Sequence, residues 1–203
     1  MRLSGSLKSL GLLAVLSLSV NIPSSSVVAQ PGEDCFRYHD GHYEPASTTT
    51  RTIELSDLGI RVQIPENYRS MSMEDGSVRI VHPDDFAWLE CVARGGFGGG
   101  GYYYESISRV EREPGMTLLQ QARFQVGSRR QQDGSLFPTG IIQGRYQRSG
   151  LDGYIVRSET GLGVAFLGTV NDSRELIRIS PSCDCEVILE DLADLLSRIS
   201  AIP

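Results

Sequence analysis

Lysine is almost absent from this chain. Lys8 is the only one, and it lies in a leader expected to be removed. A mature chain without lysine has no P-loop lysine, no Schiff base and no Ser-Lys pair. The nucleophile elbow G-x-S-x-G and the zinc motif H-E-x-x-H are also missing, which removes the commonest hydrolase and metalloprotease signatures. Long apolar runs are lacking too. Leu10 to Val20 is apolar over 11 residues, well short of the roughly 20 that a spanning helix needs. Positive charge is scarce and scattered. After residue 29 there are 17 arginines against 25 acids, a balance of 17 − 25 = −8. Such a chain repels nucleic acid and anionic lipid, so neither is an expected partner.

What the first residues do contain is a targeting pattern. Arg2 and Lys8 supply the positive region, the apolar run follows, and Val27 and Ala29 stand as the small residues of a signal-peptidase site. Residues 1–29 are therefore expected to be a signal peptide cleaved to leave Gln30 first. Cys35 follows "GED", which is not a lipobox. The expected location is extracytoplasmic: periplasm, thylakoid lumen or the secreted fraction. No membrane span is expected after cleavage. The remaining 174 residues (203 − 29) suit one domain with a real core.

Residues 30–50 are polar and rich in Gly, Pro, Ser and Thr, and read as an irregular arm before a single domain over 51–203. "TIEL" and "IRVQIP" read as two strands around the turn "SDLG", and "SVRIVHP" as another. "FAWLECVA" suits either strand or helix, with strand preferred. "YYYESISRVERE" alternates as an extended segment. "TLLQQARFQV" reads as a helix: Thr117 and Gln120 make a capping box, Leu118, Leu119, Ala122 and Val126 share a face, and Gly127 ends it. "GIIQGRYQ", "GYIVRSE", "GVAFLGTV" and "RELIRIS" alternate and are joined by short connections, so antiparallel neighbours are expected. Glu186 to Ile199 reads as an amphipathic helix, with Ile188, Leu192, Leu195, Leu196 and Ile199 in one stripe. The class is α+β: an antiparallel sheet with helices packed on it, like an αβα sandwich.

"LGIRVQIPENYR", Leu58 to Arg69, resembles the opening strand of PsbP-type domains, the extrinsic photosystem II proteins and their bacterial relatives. The later order is similar: a central helix, a strand meander around "LDGYIV" and "GVAFLGTV", and a C-terminal amphipathic helix. The likeness spans about residues 52–201, mostly as element order, and Tyr68 stands where those domains often carry Trp. The resemblance implies an αβα sandwich, no catalysis, and a role in assembling or stabilising a membrane complex.

Three features carry possible chemistry. Between Gly95 and Gly101 there are six glycines, followed by Tyr102, Tyr103 and Tyr104. Gly96, Gly98 and Gly101 formally fit G-x-G-x-x-G. A strand-like segment follows where a dinucleotide site needs a helix, so no cofactor is expected. The stretch reads as a solvent-exposed loop tip with no ligand of its own. Shortening it to a two-residue turn is expected to leave stability within about 1 kcal/mol. The three tyrosines are candidate partner contacts, with Tyr102 and Tyr104 on one face and Tyr103 on the other. His39 and His42 form the weak metal candidate, an H-x-x-H spacing in a region that does not read as helix. Cys35, Cys91, Cys183 and Cys185 all lie in the exported part, which suggests two disulfides. A Cys183–Cys185 ring is disfavoured as strained, so Cys35 and Cys91 are each expected to pair with one of that couple. Thiol-redox activity at Cys185 is the alternative.

The reading these features favour is a non-enzymatic exported accessory or assembly protein that binds a protein partner. A periplasmic metal-binding or thiol-redox factor is the second reading, and a small hydrolase the third.

Overall fold

The computed structural model describes residues 32–39, 44–98, 101–171, 173–183 and 186–203, with His39 as backbone only. The expected signal peptide lies outside the described residues. The fold is α+β, built on antiparallel strands. In chain order the elements are β1 Thr50–Leu55, β2 Ile60–Pro65, β3 Arg69–Ser72, β4 Val78–Val81, α1 Pro83–Ala93, β5 Tyr104–Val110, α2 Leu118–Arg123, β6 Ser128–Arg130 and β7 Leu136–Pro138. They continue with β8 Gly140–Arg148, β9 Leu151–Ser158, β10 Val164–Val170, β11 Leu176–Ser182, α3 Leu189–Ser197 and β12 Ile199–Ala201.

A large sheet runs β3-β4-β5-β11-β10-β9-β8, a small one β1-β2-β12, and β6 and β7 form a separate hairpin. Every pairing between these strands is antiparallel. The meander β8 to β11 follows from its short connections, as expected from the alternating segments. The β1–β2 pair closes through a 3-10 turn at Ser56–Leu58 and Gly59, whose φ of 68° suits glycine.

Alternation in β10 shows how the layers form. Val164, Phe166 and Val170 join the main core with Leu192, Leu195 and Leu196 of α3 and Ile60, Val62 and Ile64 of β2. Leu167 points the other way and packs with Ala122 of α2 and Leu176 of β11. Successive strand residues face opposite sides, so α2 covers one face of the large sheet while α3 and the small sheet cover the other.

Both expected helices are present, with changed ends. α2 has the Thr117–Gln120 capping box and continues as a 3-10 turn to Val126. Leu119, expected on its apolar face, is exposed. The C-terminal helix is shorter than Glu186 to Ile199. Ile188 is its exposed N-cap residue, and Asp191 accepts the Ile188 N–H at 2.9 Å. Ile199 is buried as expected, but as the first residue of β12, paired with Val62. The largest correction concerns "FAWLECVA": it is helical, as the body of α1. His82 caps that helix, Pro83 sits in its first turn, and Asp84 and Asp85 complement the positive end of its dipole.

Candidate functional site: a disulfide-braced aromatic knob

The N-terminal arm is not merely irregular. Its Cys35–His39 segment makes a 3-10 turn that packs on α1, and Cys35 is bonded to Cys91 of that helix. This corrects the expected connectivity, in which each of these two cysteines pairs with the Cys183 and Cys185 region. Cys183 is also disulfide-bonded, and Cys185 lies outside the described residues. Because α1 is helical, Cys91 faces the arm at short range: the Cα atoms of Cys35 and Cys91 are 5.8 Å apart. Both cysteines are fully buried. A staple sealed from solvent braces structure and is poorly placed for thiol exchange.

Gly96 and Gly98 are packed against this staple, which corrects their reading as a free tip, while Gly95, Phe97 and Gly101 are exposed as expected. Gly95, at φ 89°, follows the helix C-cap. Its N–H donates to Val92 O at 2.9 Å and the Gly96 N–H to Cys91 O at 3.0 Å, the double bond of a Schellman ending. A Cβ on Gly96 would stand 2.8 Å from Cys91 Sγ and closer still to Cys35 Sγ. A Cβ on Gly98 would meet Trp88 Nε1 at 2.8 Å and Cys35 Cβ at 3.1 Å. Phe97 ties the strip to the arm: its N–H donates to Glu33 O at 2.7 Å, and Cys35 N–H donates to Phe97 O at 2.9 Å. Gly99 and Gly100 lie outside the described residues. Shortening the run to a two-residue turn therefore removes packed backbone, and its cost exceeds the small value expected for a connecting loop. Gly96→Ala alone is expected to cost about 1–3 kcal/mol by overpacking, read as a lower urea midpoint with unchanged slope. A variant as stable as the parent shows that the disulfide and strip can separate at no cost.

The tyrosines extend the knob into the sheet. Trp88 of α1, Tyr102 and Tyr104 form a ladder, with ring centroids 5.8 Å and then 5.0 Å apart. Arg79 of β4 donates to the Tyr102 hydroxyl and holds its Cζ 4.5 Å over the Tyr104 ring. Tyr102 and Tyr104 thus share one side. Tyr103 faces the ion pair of Glu105 and Arg198, and burial, then Glu105, push its hydroxyl pKa up. All three tyrosines are half-buried.

Two other aromatics, which no sequence pattern marks, are the exposed ones. Phe97 is 71% exposed and Phe36 40%, with their rings edge-on at 6.0 Å. Each belongs to a segment read as structureless, so no periodicity marks it. The pair is fixed from both sides by the disulfide and by the hydrogen bonds between Phe97 and the arm.

His82, near the base of the knob, is buried and structural. It accepts the Asp84 N–H at Nδ1 (3.3 Å) and meets Glu44 O through Nε2, so Nε2 carries the proton. It tethers the arm, as does Asn67, which donates to Glu44 and Pro45 at 2.9 Å. The metal candidate falls elsewhere: His42 is outside the described residues and His39 is described as backbone only. Among the described residues, no group of three or more His, Cys, Asp or Glu side chains is placed to hold a metal. Likewise, among them no helix is long and apolar enough to cross a membrane. The Cys35–Cys91 bond is compatible with an extracytoplasmic location. Comparison of the chain with family models, with curated proteins and with solved structures finds no match.

Proposed function

We propose that this chain is an exported, non-enzymatic accessory or assembly protein that binds a protein partner through the disulfide-braced knob. The observation that carries the reading is the exposed Phe36–Phe97 pair on a stapled support. Large aromatic side chains in the open cost solubility and are the residues that most often anchor interfaces. A rigid support lowers the ordering entropy lost on docking. Half-buried Tyr102 packs on the disulfide cluster behind this pair and leads on to Tyr104, while Tyr103 lies on the opposite side by Glu105 and Arg198. The resemblance to PsbP-type domains favours a membrane complex as the partner.

The test uses the mature form beginning at Gln30 as bait on membrane extracts, with captured proteins identified by mass spectrometry. A Phe36→Ser, Phe97→Ser variant is expected to lose at least about tenfold of the specific capture while its melting temperature holds, because both rings lie at the surface. Equal capture by parent and variant overturns the knob as the docking face.

A further inference from the structure

The register of the large sheet sorts its β4–β5–β11 end into two faces. Arg79 is opposite Ser106, which is opposite Ser180; Arg178, two residues before Ser180, is opposite Ser108. Directly opposed residues share a face, so these five side chains lie together. Glu105 alternates to the other face, opposite Ile80. The described β3, β4, β5 and β11 strands therefore place no carboxylate beside the two arginines. Arg69, opposite Val81, adds a third guanidinium to the same face. The exposed turn residue Asp75 feels the charge of Arg79, but its hydrogen bonds go to Ser77. α2 covers this face over β8, β9 and β10, and leaves the arginine end to the aromatic ladder.

One group at this end lacks the partner that burial demands, and a second carries a charge with no ion pair among the described residues. Ser180 is 1% exposed, and its Oγ makes no hydrogen bond. Arg178 sits half-buried on a central strand with no ion pair among the described residues, and burial pushes its pKa down with only Tyr104 opposing. Arg79 is held by the Tyr102 hydroxyl and the Tyr104 ring, neither of which neutralises it. An orphaned buried hydroxyl is costly alone, and a half-buried guanidinium without an ion pair leaves its charge open to an anion. Adjacent on one strand and one face, they form a donor set that lacks an acceptor. Neighbouring strands are about 4.8 Å apart, so Arg79 and Arg178 flank the serines across three strands. One carboxylate is satisfied by a single guanidinium fork. Two guanidiniums around hydroxyl donors instead match a doubly charged tetrahedral anion.

We propose that Arg79, Arg178 and Ser180 form a binding site for a phosphate-class oxyanion, either free or carried as a small phosphomonoester. The site lies behind the knob and does not rest on the docking of Phe36 and Phe97.

Amide-resolved NMR titration of the mature protein tests it. The probes are inorganic phosphate, phenyl phosphate and acetate, at constant ionic strength. Phosphate is expected to shift amides of β4, β5 and β11 in a saturable way and to bind about tenfold or more tighter than acetate. Arg178→Gln is expected to weaken phosphate binding by about tenfold or more. Ser180→Ala, a smaller change that keeps the fold if Arg178→Gln does not, is expected to weaken it about three- to tenfold. Tighter binding of phenyl phosphate assigns the site to a phosphomonoester; equal or weaker binding assigns it to the free anion. The proposal is overturned by shifts mapping elsewhere, by acetate binding as well as phosphate, or by an unchanged affinity in a folded Ser180→Ala or Arg178→Gln protein.

Discussion

Removing the Cys35–Cys91 bond by serine substitution at both positions is expected to lower stability by roughly 4 kcal/mol. The bond joins residues 56 apart in sequence, and loop-closure entropy of the unfolded chain sets the size of the effect. The loss should be local before it is global. The small core around the bond consists of the two cysteines and Trp88, with Tyr38, Leu89, Val92 and Tyr102 packed on it. The main core lies elsewhere, between α3, the small sheet and the inner face of the large one. Hydrogen exchange should therefore accelerate first in α1, at Phe97 and in the arm, while β9, β10 and β11 keep their protection. Urea unfolding of the double-serine protein gives the magnitude. Partner capture should fall in the same variant, because Phe36 and Phe97 lose their brace. A double-serine protein with parental stability and parental exchange in α1 contradicts this account of the staple.

The contrast between what the sequence made legible and what it hid has physical causes. β1, β2 and β8 alternate in exposure between clear turns, and β10 and β11 are buried along most of their length as short apolar runs bounded by turns, so each is legible as a strand. α2 has a complete capping box, and α3 has an unbroken apolar stripe. α1 carries no such stripe. Only Asp85, Trp88 and Cys91 are buried along it, and its start signal, "HPDD", equally suits a turn. Once α1 reads as a strand, Cys91 has no reason to face the arm, and the disulfide prediction fails with it. β12 was hidden because Ile199 continues the period of α3, although the chain has already turned at Arg198. Chain entropy alone makes a glycine run a free loop, unless the bare backbone finds a packing partner. Gly96 and Gly98 have one because a missing Cβ lets their backbone touch a disulfide and an indole ring. In the candidate site, the tyrosines were visible as composition. Their partner Arg79 and the outward Phe36–Phe97 pair depend on tertiary placement.

The same tertiary placement joins Glu105 to Arg198, which lie 93 residues apart. Arg198, at the C-cap of α3, forks onto the Glu105 carboxylate of β5, donates to Gln63 O of β2 at 3.3 Å, and meets Asp194 at 3.2 Å. The Glu105 side chain is 5% exposed and that of Arg198 19%. Burial pushes the Glu105 carboxyl up, and Arg198 opposes that rise. Arg198→Met removes the opposing charge and leaves a buried carboxylate, at an expected cost of about 3–5 kcal/mol near neutral pH. The sign of the pH dependence follows. A carboxyl whose pKa is higher folded than unfolded favours folding while protonated, and that contribution is lost as pH rises through the folded value. The variant should therefore be least stable at neutral pH and regain stability as the solution is acidified toward the ordinary glutamate range. The parent should show the same trend more weakly, because Arg198 restrains the shift. Adding Glu105→Gln to Arg198→Met should recover most of the neutral-pH loss and flatten the remaining slope, since no buried charge is then left unpaired. Urea midpoints from about pH 4 to about pH 7 for the three proteins decide the matter. If Arg198→Met costs the same at both ends of that range, the loss comes from its contacts with Gln63 and from packing, and not from the charge of Glu105.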